Sequence, residues 1–299
     1  MRHPQIDVQR HRGMRRAACA VLAGIVTATS AAQAAPIAII AAENFYGDVA
    51  RQIGGGAIAV DSILSNPDAD PHAYEANAST ARAIVGAAIV VYNGAGYDRW
   101  MDKLLAASPS AKRIVLVVAD LVGKPAGDNP HLWYGPAAMA KFAAALAGAL
   151  EAIDPGHARE YAQRLAMFRA SMEPLAARIA ALRRKAAGTP VAATEPVFGA
   201  MADALGLVMA DRRFQLAVMN GTEPSASAIA AFESELRSRS VKVLLYNAQT
   251  TAALTARMRR IAIEAGIPVV GVTETEPPGK DYQGWMLSTL DAVDRALSR

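Results

Sequence analysis

Four side chains in this sequence are of the types that hold a transition metal, and each follows an apolar run. His72 lies in a loop bracketed by Pro67 and Pro71, just after the run 57–64. His131 follows the run 114–119, and Pro130 precedes it directly. Proline fixes its own φ and pushes the preceding residue toward extended backbone, so each loop offers its imidazole from a stiff frame. Glu195 follows the run 190–194, and Glu274 follows the run 268–273, with Glu276 two residues on. Two imidazoles and two carboxylates make a complete set of N and O donors for a divalent transition ion. Each also has an ordinary reading: Glu195 as a helix cap, Glu274 or Glu276 as a solvated loop charge, either histidine as a hydrogen-bonded loop residue. The four matching placements together carry the metal reading.

The elements that must position these residues alternate. Strand-like runs at 37–42, 57–64, 88–92 and 113–119 alternate with helix-like stretches at 45–53, 79–85 and 100–107. After Gly188 the alternation resumes, with strands at 190–194, 207–210, 241–246 and 268–273, and helices at 197–205, 225–238, 250–265 and 282–297. Alternation with short connections predicts parallel sheets covered by helices. Between the two series, 136–150 reads as an alanine-rich helix, and 156–185 keeps apolar residues at three- and four-residue steps, with Pro174 set to kink or divide it. The predicted fold class is α/β, two parallel-sheet lobes, 35–155 and 188–299, joined by a long connecting helix over 156–187. In open α/β sheets ligands bind outside the carboxyl ends of the strands, so the four candidates would meet in the cleft between lobes. Asn247 and Gln249 are placed to hydrogen-bond a ligand there, or to cap the helix predicted from 250. Tyr74, Trp133 and Phe198 flank the candidates and could wall the site.

Composition narrows the function. Arg10, Arg12, Arg15 and Arg16 precede a short apolar run that ends in Ala32-Gln33-Ala34, the pattern of an export signal cleaved near Ala34. Residues 1–34 carry five arginines and one aspartate, so the remainder has 26 basic and 26 acidic residues, and no basic face for nucleic acid is implied. The sole cysteine, Cys19, belongs to the leader, so a metal site must use histidine and carboxylate. No later segment reads as long and apolar enough to span a membrane. His3 and His11 go with the leader, and His157 opens a helix.

Several stretches resemble one family. They are Ala42-Glu43-Asn44-Phe45 with Ala50-Arg51-Gln52-Ile53-Gly54-Gly55, Asp70-Pro71-His72-Ala73-Tyr74-Glu75, and the segment from Val91 to Trp100 containing Asn93-Gly94-Ala95-Gly96-Tyr97-Asp98. Asn129-Pro130-His131-Leu132-Trp133 and Ala265-Gly266-Ile267-Pro268-Val269-Val270 complete the set. Over nearly the whole chain after the leader, the sequence resembles the zinc/manganese-type solute-binding proteins of bacterial ABC transporters. The resemblance implies two α/β lobes joined by a long rigid helix with the metal between them. It puts the ligands on His72, His131, Glu195 and Glu274, with Glu276 as the alternative fourth. The histidine-rich loop of many zinc-specific members is missing here, and two carboxylates favour harder ions than three histidines would, so Mn²⁺ is expected slightly ahead of Zn²⁺, with Fe²⁺ also open.

The function so implied is periplasmic capture of one divalent ion by a monomer, and delivery to a permease in the inner membrane, without catalysis. Two other classes stand behind it. A binding protein for an organic or chelated ligand would use the histidines as hydrogen-bond donors. A secreted metallohydrolase would need an open coordination position, and the sequence has neither an H-E-x-x-H helix nor a nucleophile elbow.

Overall fold

Each expected strand forms, because short runs of Val, Ile and Ala are bounded by turn residues. The computed structural model describes residue 1, residues 35–67, residue 71 and residues 74–299. The export signal, Cys19, its cleavage point and His72 lie outside the described residues.

The first series comprises β1 (Ile37–Glu43), α1 (Asn44–Gly54), β2 (Ile58–Leu64), α2 (Ala78–Val85), β3 (Ile89–Tyr92), α3 (Arg99–Ala107), β4 (Ile114–Val117) and α4 (Val118–Val122). Its strands pair in parallel in the order β2-β1-β3-β4. The second comprises β5 (Pro190–Ala193), α8 (Gly199–Leu205), β6 (Val208–Met209), α9 (Arg212–Met219), α10 (Ala226–Arg237), β7 (Leu244–Asn247), α11 (Ala253–Glu264), β8 (Val269–Val272) and α12 (Tyr282–Leu297). Its order, β6-β5-β7-β8, repeats the first, again all parallel. Two elements differ from expectation. The run 113–119 ends as a strand at Val117 and turns helical, with Ala119 N–H donating to Asn93 O at 2.8 Å instead of extending the ladder. Helix α9 was not foreseen; it is short, and Phe214 is its main anchor in the core.

Between the sheets run α5 (Pro136–Ile153), α6 (Ala158–Ser171) and α7 (Glu173–Ala186). Pro174 does divide the connector: α6 stops at Met172, and the proline sits in the first turn of α7, where a missing N–H breaks no helical bond. Helix α5 corrects one expectation, since its 18 residues at mean hydropathy 1.3 are long and apolar enough to cross a membrane. Here Phe142, Leu146 and Leu150 line its buried face in the core, each worth roughly 1.5–3 kcal/mol of burial.

That core is shared. One cluster includes Ile39 and Val91 of the first sheet, Val191, Leu245 and Val272 of the second, and an aromatic group between them. In that group Phe45 stacks on Trp133 with centroids 4.7 Å apart, and Tyr134 meets Phe198 at 5.5 Å and Trp285 at 5.6 Å. A seam of hydrogen bonds continues it. Asn44 exchanges two with the backbone of Glu276, and Tyr282 N–H donates to Asp48 Oδ2 at 3.0 Å. An apolar interface of this kind resists relative motion of the two sheets.

The first sheet's strand order reverses between β1 and β3, and a buried carboxyl pair sits at that point. Asp98 accepts from the N–H groups of Asn93 (2.6 Å) and Gly94 (2.8 Å). Gly94 has φ +75°, and a Cβ there would stand 2.6 Å from Val117 Cγ1, so the turn requires glycine. The Glu43 carboxyl is fully buried beside that of Asp98. Burial raises the Glu43 pKa well above the usual range, and the Asp98 charge raises it further. Burial also lifts Asp98, to about 6, against the pull of its backbone donors.

The folded state thus favours the protonated form of Glu43 more than the unfolded chain does. Its contribution is complete at low pH and is lost as pH rises through the folded pKa. A Glu43→Gln chain should therefore show a flatter decline of stability on the alkaline side than wild type, read from urea midpoints over a pH series. Parallel declines in the two chains would remove Glu43 as their cause.

Candidate metal centre

In the second sheet the strand order reverses between β5 and β7, and Glu195 and Asn247 stand there at the carboxyl ends of those strands, with Glu274 just past β8. His131 comes from the other series, on the loop between α4 and the turn Leu132–Tyr134. The three are almost dry, at 1%, 4% and 0% exposure for His131, Glu195 and Glu274.

The geometry centres on Glu274. His131 Nε2 faces Glu274 Oε2 at 3.4 Å, and Tyr97 O–H donates to the same oxygen at 2.9 Å. Asn247 Nδ2 donates to Glu274 Oε1 at 2.6 Å and to Glu195 Oε2 at 3.3 Å, so one amide serves both carboxylates. Thr250 O–H donates to Glu195 Oε1 at 2.7 Å, and Gln249 Oε1 accepts from Glu274 N–H. The cap reading of Glu195 fails, because its side chain makes no capping bond and the next helix starts on a proline-led turn. Asn247 serves the carboxylates and Gln249 holds the backbone of Glu274, and neither caps a helix, since α11 begins only at Ala253. Burial raises the Glu195 pKa; the Thr250 bond opposes this, and the Glu274 charge adds to the rise.

Asn129 fixes the imidazole. Its Nδ2 donates to Pro196 O at 2.8 Å, and its Oδ1 accepts from His131 N–H at 3.1 Å while lying 2.7 Å from His131 Nδ1. The oxygen facing Nδ1 can only accept, so Nδ1 carries a proton, and the neutral ring then has its lone pair on Nε2, as a ligand requires. The loop is tied at both ends to the neighbours of the glutamates, since Tyr134 O–H donates to Thr273 O at 3.0 Å. Replacing Asn129 by alanine should weaken metal binding about 10–100-fold, with partial recovery in Asn129→Asp, as measured by competition with a chromogenic chelator. Unchanged affinity would mean that something else holds the ring.

Glu276 points elsewhere. Its carboxyl stands near Asp48 and Arg51 of α1, and burial, with the Asp48 charge adding, pushes its pKa up to about 9. Among the described residues no three His, Cys, Asp or Glu side chains stand close enough to hold one ion: Asn247 intervenes between the glutamates. Trp133 is buried with its ring 5.2 Å from that of His131, Phe198 is buried against Tyr134, and Tyr74 lines the cleft. His157 is remote, paired with Asp154 at 2.6 Å.

Sequence reasoning passed over Tyr97, Thr250 and the orienting role of Asn129. Tyr97 lies a few residues past β3, so the same strand-end rule reaches it once tyrosine is admitted as a donor to ligands.

The family model for the periplasmic zinc-uptake complex component A (ZnuA) matches residues 39–296, and the chain belongs to this family of periplasmic metal-binding solute-binding proteins. It is 24% identical over 234 residues to the zinc-binding protein TroA of Treponema pallidum, 73% of each chain. It is 29% identical over 104 residues to the manganese-binding lipoprotein MntA of Bacillus subtilis, 32% of this chain and 33% of that one. The solved structure of TroA from Treponema pallidum superposes with a TM-score of 0.75 at 17% identity, over 89% of this chain and 100% of that one, which is a likeness of fold.

Proposed function

We propose that this chain captures one divalent transition metal ion, Mn²⁺ or Zn²⁺ with Fe²⁺ also within reach of the donor set, and delivers it to an ABC-type permease in the inner membrane. The ligands are His72, His131, Glu195 and Glu274. The observation that carries this is the 3.4 Å between His131 Nε2 and Glu274 Oε2. Two ligand atoms on one tetrahedral ion, each bonded at about 2.1 Å, are about 3.4 Å apart. Both Glu274 oxygens accept a hydrogen bond, Oε1 from Asn247 and Oε2 from Tyr97, and Oε2, which faces the imidazole, has a second lone pair for the ion. Glu195 and Glu274 neutralise the dication, and His72 comes from the loop after β2, which Gln249 Nε2 ties down through Pro67 O at 2.9 Å.

Zinc and manganese in the names of the relatives support this range of ions. The role is capture and release by a periplasmic monomer rather than catalysis, since four protein ligands leave no position for an activated water. The lobes are proposed as 35–155 and 188–299, with 156–187 as connector.

Binding requires a neutral imidazole and two ionised carboxylates, and Glu195 starts with a raised pKa. Acidification therefore adds protons that the ion must displace, and affinity should fall at least about tenfold from pH 7.5 to about pH 5. Titration with Mn²⁺ and Zn²⁺ at the two pH values, with proton release followed in weak buffer, tests this. Equal affinities with no proton release would reject the ligand set.

A further inference from the structure

Strand β8 ends the second sheet and pairs only with β7 among the described residues. Leu244 N–H donates to Pro268 O at 3.0 Å and Ala248 N–H to Val272 O at 2.8 Å, so residues 268, 270 and 272 turn their peptide groups to β7. Val269 and Gly271, between them, turn theirs outward, and among the described residues no donor or acceptor meets those groups. Backbone N–H and C=O are strong polar groups, and an open edge displays them as a template for another strand.

The edge opens into a groove of about 590 Å³ with two unlike walls. Val269 packs on the cluster that holds α11, and Val270 belongs to the cluster that holds α12, so the two helices cover opposite faces of β8. The α11 wall presents Ile263, a large apolar side chain left 57% exposed. The α12 wall presents Arg295 and Arg299, both exposed. The neighbouring acids stay charged, and other cations match them. Asp291 and Asp294 face Arg178 and Lys185 of α7 one for one, and Glu264 stands 3.8 Å from Arg260. With Arg299 set against its own carboxylate, Arg295 remains in excess. So does Arg239, whose Nη2 lies 3.3 Å from where a Cβ on Gly266 would stand at the groove's end. Two copies of this edge face to face would bring like charges together, whereas an acidic segment meets opposite ones.

Successive side chains of a strand point to opposite faces, so a strand laid on β8 would turn every second residue to Ile263 and those between to Arg295. We propose that β8 docks an extended segment of a partner protein, with apolar and acidic residues alternating, as a fifth strand of the second sheet. Up to about four main-chain hydrogen bonds to Val269 and Gly271 supply affinity, and the two walls select the sequence. None of the lining residues belongs to the metal centre, so the docking stands apart from the metal reading.

Fluorescence anisotropy of a labelled, end-blocked Glu-Val-Glu-Val-Glu-Val peptide with the full chain, at about 0.15 M salt, tests it. Wild type should bind the peptide saturably, and the Arg295→Glu/Arg299→Glu chain at least about tenfold more weakly. Two N-methylated peptides, one blocked at the valine amides and one at the glutamate amides, separate strand pairing from charge attraction. One of them should lose at least about tenfold and the other should not, because only alternate amides face β8. Equal binding by both methylated forms, equal binding of the Lys-Val counterpart, or no saturation below about 1 mM would overturn the docking. A dimer of the chain that the peptide dissociates, seen by sedimentation equilibrium, would give the edge to a second copy and overturn it too.

Discussion

A Glu274→Gln chain should bind Mn²⁺ and Zn²⁺ at least about a hundredfold more weakly than wild type while unfolding within a few degrees of it. Groups that merely orient a ligand cost 10–100-fold when removed, and loss of a charged ligand in a dry site costs more. The fold should tolerate the change because the amide can satisfy the same partners. Its oxygen accepts from Asn247 Nδ2 as Glu274 Oε1 does, and its NH₂ can donate to the Tyr97 hydroxyl or to the lone pair on His131 Nε2, both now facing Oε2. Calorimetric titration and thermal unfolding of the same preparation separate binding from stability. Affinity within tenfold of wild type would move the fourth ligand away from Glu274. Glu276, turned toward α1, would then be tested next.

Trp133→Ala should cost about 3–5 kcal/mol of unfolding free energy, the range for deleting a buried tryptophan. The indole stacks on Phe45 and lies 4.9 Å from the Tyr97 ring and 5.2 Å from the His131 ring; the backbone carbonyl of Trp133, which alanine keeps, accepts from Tyr282 O–H at 2.7 Å. Removing the indole opens a cavity where the loop bearing His131 meets α1 and the segment before α12. Metal affinity should therefore fall along with stability, and saturating metal should restore part of the lost midpoint by linkage. A urea midpoint shifted by less than about 1 kcal/mol would mean that the aromatic group repacks around the gap.

Much of this was legible in the sequence, and the reasons are specific. Parallel strands buried on both faces read as short Val/Ile/Ala runs, so all eight appear near their expected places. Pro174 announced the break in the connector because its missing N–H is tolerated only in a first turn. The rule that chemistry gathers at strand ends selected His131, Glu195 and Glu274, and also Asn247 and Gln249.

The same rule could not rank its own products. Glu43 ends β1 just as Glu195 follows β5, yet Glu43 is sealed beside Asp98, which with burial raises its pKa, while Glu195 is held by Asn247 and Thr250. That difference is made by tertiary neighbours more than forty residues away. Glu274 and Glu276 are separated by a detail of similar kind, since Asn44 pins the backbone of Glu276 against α1. Helix α9 escaped notice because a single buried aromatic in eight residues leaves little periodicity to read. Helix α5 is apolar enough to imitate a membrane span, and only its packing in the core distinguishes the two.

The most direct test of the metal centre is the anomalous scattering of crystals grown with Mn²⁺ or Zn²⁺, recorded at the metal's absorption edge. The account predicts one strong peak about 2.0–2.2 Å from both His131 Nε2 and Glu274 Oε2, with Glu195 and His72 completing the shell. A peak beside Glu276 and Asp48, or density at His131 with Glu274 still bonded only to Tyr97 and Asn247, would contradict it.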